Sequence, residues 1–119
     1  MTDETARAQP DFEKEFILTT DASEYGIGAI LGQIDKVGRE KMISSYSKNF
    51  DKHQMNYSVT DKELLAVVKG IEHYRHYLLG KEFILKTDHK ALTYLWETKN
   101  PTSRLLRWAM KLQEYKFRI

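Results

Sequence analysis

Two hexapeptides far apart in this chain, FILTTD at residues 16–21 and FILKTD at residues 83–88, share the pattern FILxTD. Nothing else between them matches at that offset, so they are not two copies of a repeated unit. Each reads as a strand that is apolar at nearly every position, the pattern of a strand covered on both faces. In each, an aspartate (Asp21 or Asp88) lies five residues after the phenylalanine and closes the segment. If the two strands lie side by side and parallel, both aspartates emerge at one edge. In open α/β sheets that is the edge where ligands bind. The pattern therefore points to an α/β fold with both segments in one sheet.

The 119 residues suffice for one core and leave no room for a second. Hydrophobic residues at 41% and charged residues at 30% fit a folded domain rather than a disordered chain. Residues 27–33, punctuated by Gly26, Gly28 and Gly32, form a second expected strand. A turn at residues 35–39 leads to a third at 41–47, completing an antiparallel meander. From Ser58 to Leu79 the apolar residues Leu64, Val67, Val68, Ile71, Tyr74 and Leu78 fall on one helical face. Thr60 and Glu63 have the spacing of a capping box, and Gly80 is a natural stop. Residues 91–97 form a short helix, Pro101 breaks the chain, and Thr102 or Ser103 caps a helix to about Glu114. Residues 116–119 alternate as a fifth strand. The expected order is βββαβααβ.

A third acid joins the two aspartates. On the long helix Glu63 falls near Val67 and Tyr74, at the border of the apolar stripe, and Gly70 lies on the same side two turns later. There the missing side chain permits close backbone approach. A glutamate aimed at the sheet beside two aspartates suffers like-charge repulsion, which a divalent cation would remove. A hard, all-oxygen site favours magnesium or manganese over zinc. Two such ions about 3.5–4 Å apart suit phosphodiester hydrolysis. Taken singly, Asp21 and Asp88 are strand-end turn formers and Glu63 a capping residue. Their shared register favours a site.

These segments closely resemble the ribonuclease H domain of gypsy-type LTR retrotransposon Pol polyproteins. The resemblance lies in PDFEKEFILTTDAS (residues 10–23), YGIGAILGQ (25–33), NYSVTDKELLAVV (56–68), FILKTDHKAL (83–92) and SRLLRWAMKLQEYKF (103–117). It implies a ribonuclease H-like fold, a five-stranded mixed sheet flanked by helices. It also implies cleavage of the RNA strand of RNA–DNA hybrids with two magnesium ions, manganese substituting. Asp21, Glu63 and Asp88 would be catalytic and hold the metal, with Asp21 bridging both ions. Ser23, Tyr25, His89, Lys90 and Arg104 would approach the substrate. Residues 1–14 would be the linker from an upstream reverse transcriptase, and 15–119 the ribonuclease H-like domain. In the family a further helix carries a fourth aspartate; this sequence stops at Ile119, so the resemblance implies a domain lacking that helix and slow cleavage without it.

Other features bound the alternatives. With no cysteine, disulfide scaffolds and thiolate zinc sites are excluded. A net charge of +2 is too small to argue nucleic-acid binding, which must come from clusters. Arg104, Arg107 and Lys111 fall on one helix face, while Arg75, Lys81, Lys86 and Lys90 surround the fourth strand. An ordinary solvated face is the competing reading, favoured for Arg107 and Lys111. His53, His73 and His76 read as surface or half-buried, Trp96 and Trp108 as core. No segment has the length to cross a membrane, residues 1–10 are not a secretory signal, and the expected location is intracellular, in a cytoplasmic retrotransposon particle with a nuclear stage left open. The competing functions are an inactive ribonuclease H-fold module that binds hybrid or supports a polymerase, and an integrase-like nuclease of the same superfamily.

Overall fold

The computed structural model describes residues 9–119. Its sheet begins as a meander of β1 (Ile17–Ala22), β2 (Gly26–Ile34) and β3 (Glu40–Asn49), both pairings antiparallel. The chain then makes a short 3-10 turn (Gln54–Asn56), which the sequence pattern does not announce, and enters α1 (Val59–His73) and α2 (Arg75–Leu78). β4 (Glu82–Lys86) returns parallel to β1. Helices α3 (His89–Glu97) and α4 (Ser103–Leu112) follow, and β5 (Lys116–Arg118) closes the sheet parallel to β4. The strand order is β3-β2-β1-β4-β5, and the element order is the expected one except that the long helix is broken in two.

The register realises the FILxTD echo. Ile17 pairs with Ile84, Leu18 with Leu85 and Thr19 with Lys86, so the same offset carries Asp21 to Asp88. One step beyond the paired backbone, the Thr20 hydroxyl donates to the Thr87 hydroxyl at 3.0 Å. Phe16, Leu18, Leu31, Phe83 and Leu85 are almost wholly buried and meet Leu64, Val67, Val68 and Ile71 of α1. α1 lies across β1 and β2 and in turn contacts α3 and α4.

Two details of the long helix differ from expectation. The cap is Ser58, not Thr60: Ser58 has extended backbone and its Oγ accepts the Asp61 amide at 3.0 Å. The spacing rule is right and the hydroxyl is one pair earlier, which satisfies an amide that Thr60, already inside the first turn, could not reach. The helix also stops at His73, because Tyr74 leaves helical geometry with φ −103° and ψ 24°. Its ring is buried and its hydroxyl donates to Ser44 Oγ at 3.0 Å, so a tertiary bond to β3 overrides the helical periodicity. Gly80, at φ +84°, ends the segment as expected. Trp108 is core, but Trp96 is 54% exposed and lies against Phe117 with ring centroids 6.3 Å apart.

Of residues 1–14, the first eight lie outside the described residues. Residues 11–14 are fastened to the sheet by Gln33, whose side chain is completely buried. Its amide donates to the Asp11 carbonyl (2.7 Å) and the Lys14 carbonyl (3.2 Å), and its oxygen accepts the Asp11 amide (2.9 Å). Phe12 stacks on Tyr77 and meets the edge of Phe16.

Gly70 sets the separation of helix and sheet. A Cβ there would lie 3.1 Å from Ala29 Cβ and 3.2 Å from Thr20 Cγ2, both on strands that cannot easily retreat. Gly70→Val should destabilise the fold by about 1–3 kcal/mol through overpacking, read as a lower urea midpoint; an unchanged midpoint would mean that α1 lifts off the sheet without cost. Gln33→Leu removes all three bonds to the backbone of Asp11 and Lys14 and buries no polar group in their place; it should cost about 1–3 kcal/mol. Hydrogen exchange should then show residues 11–14 losing protection before the sheet does.

Candidate active site

Three different kinds of local structure bring the acids to one rim. Asp21 stands near the end of β1, exposed, with one carboxylate oxygen accepting the Ala22 amide at 2.9 Å. Asp88 follows β4, whose ladder ends at Lys86, and caps α3: its Oδ1 accepts the Lys90 amide at 2.9 Å. The expectation that residues 83–88 are all strand is corrected on this point, since the last two residues turn the chain into the helix. The capping reading and the site reading of Asp88 therefore hold together. Glu63 reaches the rim from the first turns of α1 and is half-buried.

The electrostatics of Glu63 tie the three together. Its carboxyl is raised above the ordinary value of 4.5, first by burial, then by the charge of Asp21 and next by that of Asp88. A hydrogen bond with the Ala22 backbone opposes the rise. Glu63 on α1 therefore feels the charges of Asp21 and Asp88 from the ends of the two strands. The donor set is entirely carboxylate oxygen, which suits a hard divalent cation, and the mutual repulsion is what such an ion would relieve. Among the described residues, no group of three or more acidic or histidine side chains is already gathered to hold an ion. Asp21 and Asp88 each give one oxygen to a nearby amide, which leaves the other free.

The flanking loop is built by Ser23. Its Oγ accepts the Tyr25 and Gly26 amides, both at 3.2 Å, and donates to the Gly26 carbonyl at 3.3 Å. Gly26 is obligatory there, because a Cβ would meet the Lys48 carbonyl at 2.4 Å. Tyr25, at 68% exposure, projects from this loop, and a cleft of about 310 Å³ runs from Asp21 and Ser23 past Tyr25 to Ser47, Lys48 and Asn49. The last three are residues that motif reasoning passed over; only the pairing of β3 with the β1–β2 hairpin reveals them. His89 and Lys90 are exposed beside Asp88.

Several of the basic residues are engaged within the fold. Arg104 binds Asp61 at 2.7 Å, Lys111 binds Glu72 at 2.9 Å, Lys86 binds Glu40 at 2.9 Å, and Arg75 donates to the Tyr115 hydroxyl at 3.0 Å. His53, His73 and His76 are on the surface.

A mixed β3-β2-β1-β4-β5 sheet with helices, carrying acids at the rim where β1 and β4 emerge, is a ribonuclease H-like domain. The family model described as the RNase H-like domain found in reverse transcriptase matches residues 11–115, and the chain belongs to that family. It is 46% identical over 110 residues to the retrovirus-related Pol polyprotein from transposon 297 of Drosophila melanogaster, covering 92% of this chain and 10% of that protein. It is 40% identical over 113 residues to the transposon Tf2-3 polyprotein of Schizosaccharomyces pombe, covering 92% and 8%. The chain thus spans about a tenth of the length of these curated relatives. Among solved structures, the native prototype foamy virus protease–reverse transcriptase superposes with a TM-score of 0.68 at 15% identity, over 94% of this chain and 16% of that one. The foamy viral enzyme in complex with RNA/DNA hybrid gives 0.63 at 20% identity, over 92% and 15%. These structural likenesses establish the fold.

The raised Glu63 fixes a sign for stability against pH. The folded state holds the Glu63 proton more tightly than the unfolded chain does, so this group's contribution falls as pH rises from about 4.5 through the raised value. Without metal, Glu63→Gln should therefore be more stable than the parent at neutral pH, by less than about 1 kcal/mol given solvent screening. The difference should shrink as pH falls toward 4.5. Paired thermal melts across pH test this, and a less stable Glu63→Gln at neutral pH would contradict it.

Proposed function

We propose that this domain hydrolyses the RNA strand of RNA–DNA hybrids endonucleolytically, as the ribonuclease H part of a retrotransposon reverse transcriptase. The observation that carries the reading is the β1–β4 register, which brings Asp21 and Asp88 to one edge with Glu63 beside them on α1, in a chain whose family is the RNase H-like domain found in reverse transcriptase. Magnesium, or manganese in its place, would be held by Asp21, Glu63 and Asp88, and when bound would supply the Lewis acidity that activates water and stabilises the leaving oxygen.

The chain's own residues supply position. β1 and β4 set the two aspartates in register, and α1 brings Glu63 down on them. The loop from Ser23 to Tyr25 borders Asp21 on one side, and His89 and Lys90 border Asp88 on the other. Ser23, Tyr25, His89 and Lys90 are the proposed substrate contacts, with Lys90 directed at phosphate; Arg104, also expected among them, is engaged with Asp61. An A-form duplex would be read by its shape and 2′-hydroxyls rather than by base sequence. Upstream reverse transcriptase sequence is the proposed covalent neighbour, joined through the segment that Gln33 holds.

The test is cleavage of a labelled RNA–DNA hybrid in magnesium. RNA-strand products should require the divalent ion and fall on the order of 100-fold or more in Asp21→Asn, as expected when one group stabilising transition-state charge is lost. Hybrid binding with no cleavage would instead favour the non-catalytic module, and cleavage indifferent to Asp21→Asn would overturn the site.

A further inference from the structure

We infer that Arg104, on α4, is a positioning residue that fixes Glu63 through Asp61; the inference rests on the proposed role of Glu63. The Arg104 guanidinium donates to Asp61 Oδ2 at 2.7 Å and lies over the Tyr57 ring at 3.8 Å, with Trp108 at 5.9 Å. Tyr57 immediately precedes the cap Ser58, and Asp61 is the residue whose amide that cap binds. One guanidinium therefore grips both sides of the start of α1. Arg104 is 34% exposed and Asp61 15%, so the pair is partly withdrawn from water, where charge-assisted bonds are strongest.

Glu63 sits between fixed neighbours. Lys62 lies over the Phe50 ring at 5.1 Å and donates to the Glu24 carbonyl at 3.4 Å, tying the same turn to the loop that follows Asp21. Leu64 is wholly buried. With Asp61 held to α4, Lys62 held to the β1–β2 loop and Leu64 in the core, the Glu63 backbone has little freedom left. Arg104 holds the turn from outside the rim, where an arginine does what a lysine would not: the planar group binds a carboxylate and stacks on rings at once.

Two measurements test this. In the metal-free chain, amide hydrogen exchange at Asp61, Lys62 and Glu63 should quicken about tenfold in Arg104→Gln, with the later turns of α1 unchanged and Arg104→Lys intermediate. In hybrid cleavage, Arg104→Gln should lower kcat by about 10- to 100-fold, the scale of a misplaced group, while KM stays within about twofold. Asp61→Asn should give a similar loss, and the double variant little more. Unchanged exchange at these amides overturns the inference even if no form cleaves. A raised KM with unchanged kcat, and a salt slope lowered by about one, would make Arg104 a phosphate contact instead. If Glu63→Gln cleaves normally, the function assigned to Glu63 falls, while the exchange result still decides whether Arg104 orders the turn.

Discussion

The parallel pairing of β1 with β4 is the contact on which the rest of this molecule depends. Parallel neighbours need a long crossover, and here the crossover contains β2, β3, α1 and α2, so most of the domain is the connection between the two strands. Slipping one strand by a single residue would turn its side chains to the opposite face. A slip of two would keep the faces but part Asp21 from Asp88 by roughly 6–7 Å more. The bond between Thr20 and Thr87 sits where the ladder ends, one residue before each aspartate. Buried at 5% exposure, Thr20 has little other partner for its hydroxyl than its counterpart. The register is thus pinned at the end that carries the two aspartates.

What this pairing assembles opposes folding. Glu63, the most enclosed of the three acids, has its carboxyl raised by burial first and then by the charges of Asp21 and Asp88. The opposition is overcome underneath: Leu18, Leu64, Val67 and Leu85, essentially without exposure, lie directly below the rim. Gly70 lets α1 settle onto Ala29 and Thr20 two turns beyond Glu63. Local cost supported by close packing is the usual signature of a functional site.

The parts of this arrangement that were legible in the sequence are those set by period and repetition. The echo of FILxTD fixed two strands and their offset, and the 3.6-residue pattern placed α1 and the inward lean of Glu63. What was not legible depends on partners distant in sequence. Tyr74 continues the apolar stripe, yet the helix ends there, and its hydroxyl is bonded to Ser44 on β3, 30 positions earlier. Asp88 looks like the end of a strand until the helix that it caps is in place. Gln33 reads as one more polar residue in a strand, whereas it is buried and holds residues 11–14. Arg104 has the helical spacing of a basic face, yet its nearest partner is an acid 43 positions earlier. Spacing along the chain records which residues share a face, not which charges that face will meet.

The same distinction explains why no short motif encloses the site. Asp21 is held by a strand, Asp88 by a helix cap and Glu63 by the first turns of a helix. The distances between their carboxylates are therefore distances between elements, governed by contacts that belong to none of the three acids. Thr20 with Thr87 governs strand against strand, and Gly70 governs helix against sheet. The start of α1 has no packing of this kind at its tip, since Val59 is 77% exposed. Polar and charged contacts help to hold it, from Ser58, from Lys62 and from the pair of Asp61 with Arg104. A rigid sheet under a helix end secured by charge lets the two aspartates stay fixed while the orientation of Glu63 depends on how firmly its turn is gripped.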